Sequence, residues 1–404
     1  MLDGLTNAPA SDLRIEPENV LDPRHFAAVR AQGPRLHALP LWCYSSPKFF
    51  QAEMERLFYP GWNMMERVER VPNKGDFHTL TFMNIPLIMV RGSDDKVRVF
   101  ANTCRHRGAV IAEGSGNCKN FRCPYHAWVY SLEGDLLGAQ QYDDGEDKPI
   151  VTDANKREYG LIEIPSESWG GFLFVKFRKG GESLQDFLGE VPARLASHRL
   201  EDMVCTKQLV FDMEANWKCF VENYSDGYHI PTVHKDSLAR WKAKYTRQAP
   251  PPSGNYTIAF AEHDGSQLLL PFPDYVGFPP MPQIDKEWAR GTFFTTIRPG
   301  MMMTMGNDGA LAFRCEPIGP TKSRLTVSSL FPKSTVARND FEEIAKNYYR
   351  RNDMVVREDV DISLKQAAGI ASPFARMVTL QKLEKPLNQI ANWVLDRVIG
   401  KDAA

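Results

Sequence analysis

Hydrophobic positions change their period twice along the chain. In SPKFFQAEMERLF, Phe50, Met54 and Phe58 recur every four residues, which predicts a helix over 46–58. Ser46 suits its N-cap and Pro47 its first helical position, and Pro60-Gly61 ends it. Residues 1–40 carry no such period and read as irregular or loosely helical. From Trp62 to about Phe177 the period shortens to two. FHTLTFMNIPLIMVRG and KVRVFANTC alternate about the polar turn Ser93-Asp94-Asp95. NFRCPYHAWVYSLEGDLLG reads as strand, loop, strand, a turn at Glu133-Gly134-Asp135, and strand; SWGGFLFVKF adds one more. This is a compact antiparallel β domain with loops at hairpin tips.

Beyond residue 178 helical and strand patterns mix. SLQDFLGEVPARLAS is helical, and KQLVFDMEANWKC begins as a strand and runs into a helix. Residues 248–284 are dense in proline and glycine, which predicts long loops, either a pocket lid or an irregular surface segment. GTFFTTIRPGMMMTMG, ALAFRCEPIG and RLTVSSLFP read as three antiparallel strands. DFEEIAKNYYRRNDMVVREDVDISLKQ is a long helix, and KPLNQIANWVLDRVIG closes the chain as another. Helices packed on one antiparallel sheet make this part α+β. The chain thus divides into an arm and helix over 1–58, a β domain over 59–178 and an α+β domain over 179–404.

Composition narrows the function classes. The 404 residues suffice for two domains, and 43% hydrophobic with 25% charged is ordinary for a soluble globular protein. A net charge of −1 gives no electrostatic reason for nucleic acid or an anionic membrane as partner. No run of about twenty apolar residues predicts a transmembrane helix. The first twenty residues are acidic and polar, unlike a signal peptide. Seven scattered cysteines, an odd count without framework spacing, suit a reducing cytoplasm.

Two stretches carry chemistry. In CRHRGAVIAEGSGNCKNFRCPYH, Cys104-x-His106 and Cys123-x-x-His126 stand sixteen residues apart. Two thiolates and two neutral imidazoles on two short loops are what a [2Fe–2S] cluster with mixed ligation needs, and Pro124 stiffens the second loop. A structural zinc site also takes Cys₂His₂, but its modules open with two cysteines rather than a Cys-x-His pair. In NWKCFVENYSDGYHIPTVH, Asp226 and His229 are three apart and would share a helical face. His229 and His234 are five apart, about 140° round an ideal helix. Pro231 disrupts the helix between them and lets His234 swing back. Two imidazoles and a carboxylate with open positions suit a non-haem Fe(II) that activates O₂. For the carboxylate, REDVDISLKQ offers two aspartates. Asp359 lies on a mostly apolar stripe with Val355, Ile362 and Gln366, whereas Asp361 sits four residues from both Arg357 and Lys365 as a solvated ion-pair position. That favours Asp359 and leaves Asp361 as the alternative.

These motifs, with Arg107-Gly108 and Trp128 beside the first, resemble the α subunit (oxygenase component) of Rieske non-haem iron ring-hydroxylating oxygenases, from about Trp42 to the end. The resemblance implies an all-β Rieske [2Fe–2S] domain and a helix-grip-like catalytic domain. It implies that Cys104, His106, Cys123 and His126 hold the cluster and that His229, His234 and Asp359 hold mononuclear Fe(II). Asp226 matches the aspartate that bridges the two centres, from His229 to the second cluster histidine, His126, of the next subunit. Trimers, α₃ or α₃β₃, follow from that arrangement. Two departures touch the third ligand: many relatives carry glutamate where this chain has Leu364, and Gln366 falls one position early.

The implied activity is hydroxylation or dihydroxylation of an aromatic or similar hydrophobic substrate, with O₂ and electrons from a separate reductase with or without a ferredoxin. No dinucleotide fingerprint of its own is present. N-demethylation or hydroxylation of a choline- or betaine-like quaternary amine, and O-demethylation of a methoxy-aromatic, use the same fold and metals. A non-catalytic Rieske electron carrier would not need the stretch from Asn216 to His234. No Arg or Lys cluster in the catalytic half marks a carboxylate-bearing substrate.

Overall fold

The computed structural model describes residues 15–31, 33–140, 142, 151–153, 155–240, 244–249, 254–272, 274–376 and 379–401. The first fourteen residues, part of the N-terminal arm of the sequence reading, lie outside them. The chain forms two compact units, one of residues 60–184 and one of 1–59 with 185–404.

The described strands of the smaller unit all pair antiparallel. Its five-stranded sheet has the order β5-β2-β3-β4-β9, from β2 (Asp76–Phe82), β3 (Ile85–Arg91), β4 (Val97–Ala101), β5 (Ser115–Asn117) and β9 (Glu163–Ile164). A small sheet joins β6 (Phe121–Arg122), β7 (Val129–Tyr130) and β8 (Leu136–Gly138), and another joins β1 (Asn63–Arg67) to β11 (Phe172–Val175) and β10 (Ser166–Trp169). One core cluster unites the first two: Ile88, Val90 and Phe100 from the large sheet meet Phe121, Trp128, Tyr130 and Leu136, with Cys104 and Cys123 buried in the same cluster.

The larger unit is built on a seven-stranded antiparallel sheet. It comprises β12 (Met203–Met213), β13 (Lys244–Ala249), β14 (Tyr256–Glu262), β15 (Gly291–Ile297), β16 (Met301–Met305), β17 (Ala310–Gly319) and β18 (Lys322–Pro332), in the order β12-β18-β17-β16-β15-β14-β13. The sequence reading differs here in two places. GTFFTTIRPGMMMTMG is two strands, not one, because Arg298-Pro299-Gly300 turns the chain between β15 and β16. Within the stretch read as loops, YTIAFAE alternates buried and less buried residues and forms β14.

Four helices serve the site: α1 (Pro47–Glu53), α2 (Trp217–Ser225), α3 (Phe341–Ile370) and α4 (Lys385–Val398). Ser46 Oγ caps α1 by accepting from Phe49 N, and α1 then widens into a π turn over Met54–Phe58. Helices α2 and α3 lie on the same sheet face. Tyr224 and Ser225 reach Thr304 and Thr296 with hydroxyl contacts of 3.0 and 3.3 Å, and Asn352 Nδ2 donates to Ser329 Oγ at 3.0 Å. Cross-strand pairing puts Phe294, Thr304, Leu311 and Ser329 side by side on that face. The buried side of α2 is tied to the N-terminal segment: Lys218 Nζ meets Glu53 Oε1 at 2.7 Å, both wholly buried, and Tyr44 OH donates to Glu222. Removing one partner of such a pair leaves a buried charge, so this contact fixes where α2 lies.

Candidate metal centres

The two cysteine-histidine loops of the smaller unit share one backbone plan. In the first, Cys104 N donates to Ala109 O at 2.8 Å and Gly108 N to Cys104 O at 2.9 Å. In the second, Cys123 N donates to Trp128 O at 2.8 Å and Ala127 N to Cys123 O at 3.1 Å. In each loop the fourth residue after the cysteine is left-handed, with φ of 75° at Gly108 and 56° at Ala127. Glycine adopts this freely, whereas Ala127 is held there by the closed turn. The plan turns both cysteines inward and brings both histidines to the rim.

The rings of His106 and His126 approach edge-on at 4.6 Å, and His106 stacks on Trp128 at 5.1 Å with planes 5° apart. Cys104 and Cys123 are buried, and His126 is exposed. Tyr130 OH lies 3.2 Å from Cys104 Sγ and accepts from Arg105 N at 3.1 Å. His106 Nδ1 is buried and, among the described residues, finds no hydrogen-bond partner. An orphaned imidazole nitrogen beside two buried thiols is a donor set that lacks its acceptor, and an iron–sulfur cluster fits it.

The larger unit gathers a second donor set. His229 Nε2 and His234 Nε2 are 3.3 Å apart, and Asp359 Oδ1 is 3.6 and 3.1 Å from them. Among the described residues, these three form a group whose ligand atoms all lie within 4.8 Å of one another. Local geometry differs from the helical picture. Helix α2 ends at Ser225, and Asp226 is extended. Asp226 Oδ1 accepts from Tyr228 N at 2.5 Å while Oδ2 lies 3.1 Å from His229 Nδ1, so a turn, not a shared helix face, joins them. Pro231 sits in the first turn of a short helix, Ile230–Val233, with His229 and His234 at its two ends. The chain breaks before His229 rather than between the histidines, and one turn of helix brings His234 back.

On α3, Asp359 faces the histidines, and Asn223 Nδ2 donates to its Oδ1 at 2.7 Å. Asp361 is exposed. Arg357 pairs with Asp353. The sequence reading missed Glu358. Its Oε2 accepts from His234 Nδ1 at 2.7 Å and from Ser237 Oγ at 2.6 Å. The only signal was its place beside Asp359, and an adjacent acid on a helix ordinarily points elsewhere.

The carboxylates explain why a cation belongs here. Asp226 and Glu358 accept only, so each imidazole carries its hydrogen on Nδ1 and turns an Nε2 lone pair inward. Two lone pairs and a carboxylate then face one point. Without a metal, protons answer this. Burial pulls His229 down, but Asp226 and Asp359 outweigh it and raise its pKa to about 9. Burial pushes Asp359 up, but its bonds to His229 and His234 hold it well below the usual carboxylate range. Two neutral imidazoles and one carboxylate with open positions suit ferrous iron.

Known proteins resemble the chain along both of its units. A family model described as the ring hydroxylating alpha subunit (catalytic domain) matches residues 200–400, and one described as the Rieske [2Fe-2S] domain matches 61–148. Choline monooxygenase from Spinacia oleracea is 27% identical over 365 residues, 89% of this chain and 77% of that protein. The glycine betaine monooxygenase oxygenase subunit from Chromohalobacter salexigens is 32% identical over 203 residues, 50% of this chain and 44% of that one. Among solved structures, the quaternary ammonium Rieske monooxygenase CntA with L-carnitine superposes with a TM-score of 0.72 at 20% identity, covering 90% of this chain and 95% of that one. Naphthalene 1,2-dioxygenase with indole does so with a TM-score of 0.72 at 18% identity, covering 90% and 92%. At such identities the two structures bear on fold alone. Both domain matches and both donor sets agree: the chain belongs to the Rieske non-haem iron ring-hydroxylating oxygenases, as an oxygenase-component α subunit.

Proposed function

We propose that this oxygenase acts on a quaternary amine, inserting one oxygen atom into a C–H bond near the ammonium nitrogen and reducing the other to water. The observation that carries this is the likeness to choline monooxygenase along 89% of the chain. Hydroxylation of an aromatic ring, the leading expectation from sequence, is the second reading, and the fold it shares with naphthalene 1,2-dioxygenase keeps it open.

His229, His234 and Asp359 would hold the mononuclear iron, and Cys104, His106, Cys123 and His126 the cluster. When bound, the iron supplies O₂ activation and the cluster supplies single electrons. Asp226 fixes the tautomer of His229 and Glu358 that of His234, which keeps both Nε2 lone pairs on the metal position. In a trimer Asp226 would also bridge toward His126 of the partner subunit, as the family resemblance implies, and so would link the two centres across copies. A separate reductase delivers them. Five free cysteines outside the cluster set (Cys43, Cys118, Cys205, Cys219 and Cys315) support a cytoplasmic place. Among the described residues no helix is long and apolar enough to cross a membrane.

The test supplies the iron-replete protein with a generic reductase, NAD(P)H and O₂, and offers choline, glycine betaine, naphthalene and a methoxybenzoate. Consumption of a quaternary amine coupled to O₂ uptake is expected. Conversion of an aromatic to a hydroxylated product, with every quaternary amine returned intact, overturns the reading.

A further inference from the structure

Arg351 lies on α3 eight residues before Asp359 and seven before Glu358, so it shares Glu358's side of the helix about two turns away. Its residue exposure is 3%. Among the described residues its Nε finds no hydrogen-bond partner, and Nη1 has one long contact of 3.4 Å to the Oδ1 of its own neighbour Asn352. Among the described residues no carboxylate lies within ion-pair distance of it. It stands on the same helix as Asp359 and Glu358, and both carboxylates and Tyr224 act on its charge without forming an ion pair with it. Burial lowers its pKa to about 10, so it remains a cation at neutral pH.

A buried guanidinium without a carboxylate is rare, because burial penalises a charge that nothing compensates. Most of its fork of donors is unspent. That fork matches a carboxylate in two-pronged geometry, as a lysine ammonium does not. The sequence shows no basic cluster, and a single buried arginine needs none.

We propose that Arg351 binds a carboxylate of the substrate, so that the substrate is a zwitterion with a quaternary ammonium at the iron end and a carboxylate at Arg351. This rests on the quaternary-amine reading and narrows it: betaines qualify, and amino alcohols such as choline do not. Asn352 is itself committed to Ser329, so it aids the carboxylate little.

The test measures equilibrium binding of glycine betaine, γ-butyrobetaine, choline and benzoate to the oxidised holoenzyme without reductant, with iron content and cluster absorbance as folding checks. The wild type is expected to bind one betaine at least about tenfold more tightly than choline. Arg351→Gln should bring that ratio close to one, and in turnover should raise KM for the betaine far more than it lowers kcat. If Arg351→Gln does not fold, Arg351→Lys carries the test, since it keeps the charge but not the fork and should give an intermediate ratio. A wild type that prefers choline, or a ratio unmoved in the variants, overturns the role of Arg351 and leaves the quaternary-amine reading standing. Binding of benzoate but of no quaternary amine overturns the quaternary-amine reading, and the zwitterion with it. Loss of benzoate in the variant would then show the carboxylate contact surviving alone.

Discussion

The two candidate metal centres are built by opposite means. The four proposed cluster residues fall within 23 positions, on two turns that repeat one hydrogen-bond plan, and packing against Trp128 and Tyr130 orients them. The proposed iron residues span His229 to Asp359, and carboxylates orient them: Asp226 on His229, Glu358 on His234. The first site is shaped by its own backbone. The second exists only once α2 and α3 have docked on the sheet. A locally built site should therefore tolerate change elsewhere in the chain, whereas the iron site should fail in steps as its distant supports are removed.

The sharpest break between the two comes from Asp359→Ala. It removes the carboxylate on which both histidines converge. Iron should fall from about three to about two per chain with the cluster's EPR signal intact, and turnover should drop about a thousandfold or more. Loss of the cluster in the same variant would mean that the centres are not independent. Asp226→Asn comes next. Both centres should stay filled, yet turnover should fall about a hundredfold, because the link between them and the tautomer of His229 depend on that acid. A reduced cluster that stays reduced on mixing with O₂ and substrate is the expected record. Normal turnover would remove Asp226 from the path of electrons.

The same contrast explains what could be read in advance. The cluster loops were legible because their chemistry and their geometry are both local: Cys-x-His, Cys-x-x-His and the turns around them. Domain character was legible from the change in period near residues 60 and 178. His229 and His234 were legible as a pair, but not the turn that joins them to Asp226, because residue spacing favours a helix wherever the intervening residues permit one. Asp359 could be chosen over Asp361 from the apolar stripe on α3. Glu358 and Arg351 could not, because their roles depend on what faces them after docking, and neither neighbour nor period records that. The strand β14 was hidden by the prolines and glycines on either side of it, which dominate any window that contains it.

Glu358 offers a finer test of carboxylate support. Glu358→Ala frees the His234 ring to turn, and iron affinity should fall about ten- to a hundredfold. Glu358→Gln should lose much less, since its amide oxygen still accepts from His234 Nδ1. Titration of the iron-stripped protein with Fe(II) separates the two variants. Equal losses would mean that negative charge, not orientation, is what Glu358 supplies.

The smallest effect belongs to the cluster site, where a hydroxyl lies beside a cysteine sulfur. Tyr130 accepts from Arg105 N, so its own hydrogen is left to point at Cys104 Sγ, 3.2 Å away. Burial first, then Cys104, raises its pKa well above the usual phenol value, so that hydrogen stays in place at any working pH. A donor to a cluster sulfur favours the reduced state, which carries the extra negative charge. Tyr130→Phe removes the donor without opening a cavity. A net hydrogen bond of about 1 kcal/mol corresponds to a fall of roughly 40 mV in a one-electron potential. EPR-monitored redox titration reads this directly, and iron content should not change. An unchanged potential would mean that the hydroxyl serves only the Arg105 backbone. The cluster site would then owe its properties to its turns and its aromatic packing alone, and the contrast with the carboxylate-held iron would be complete.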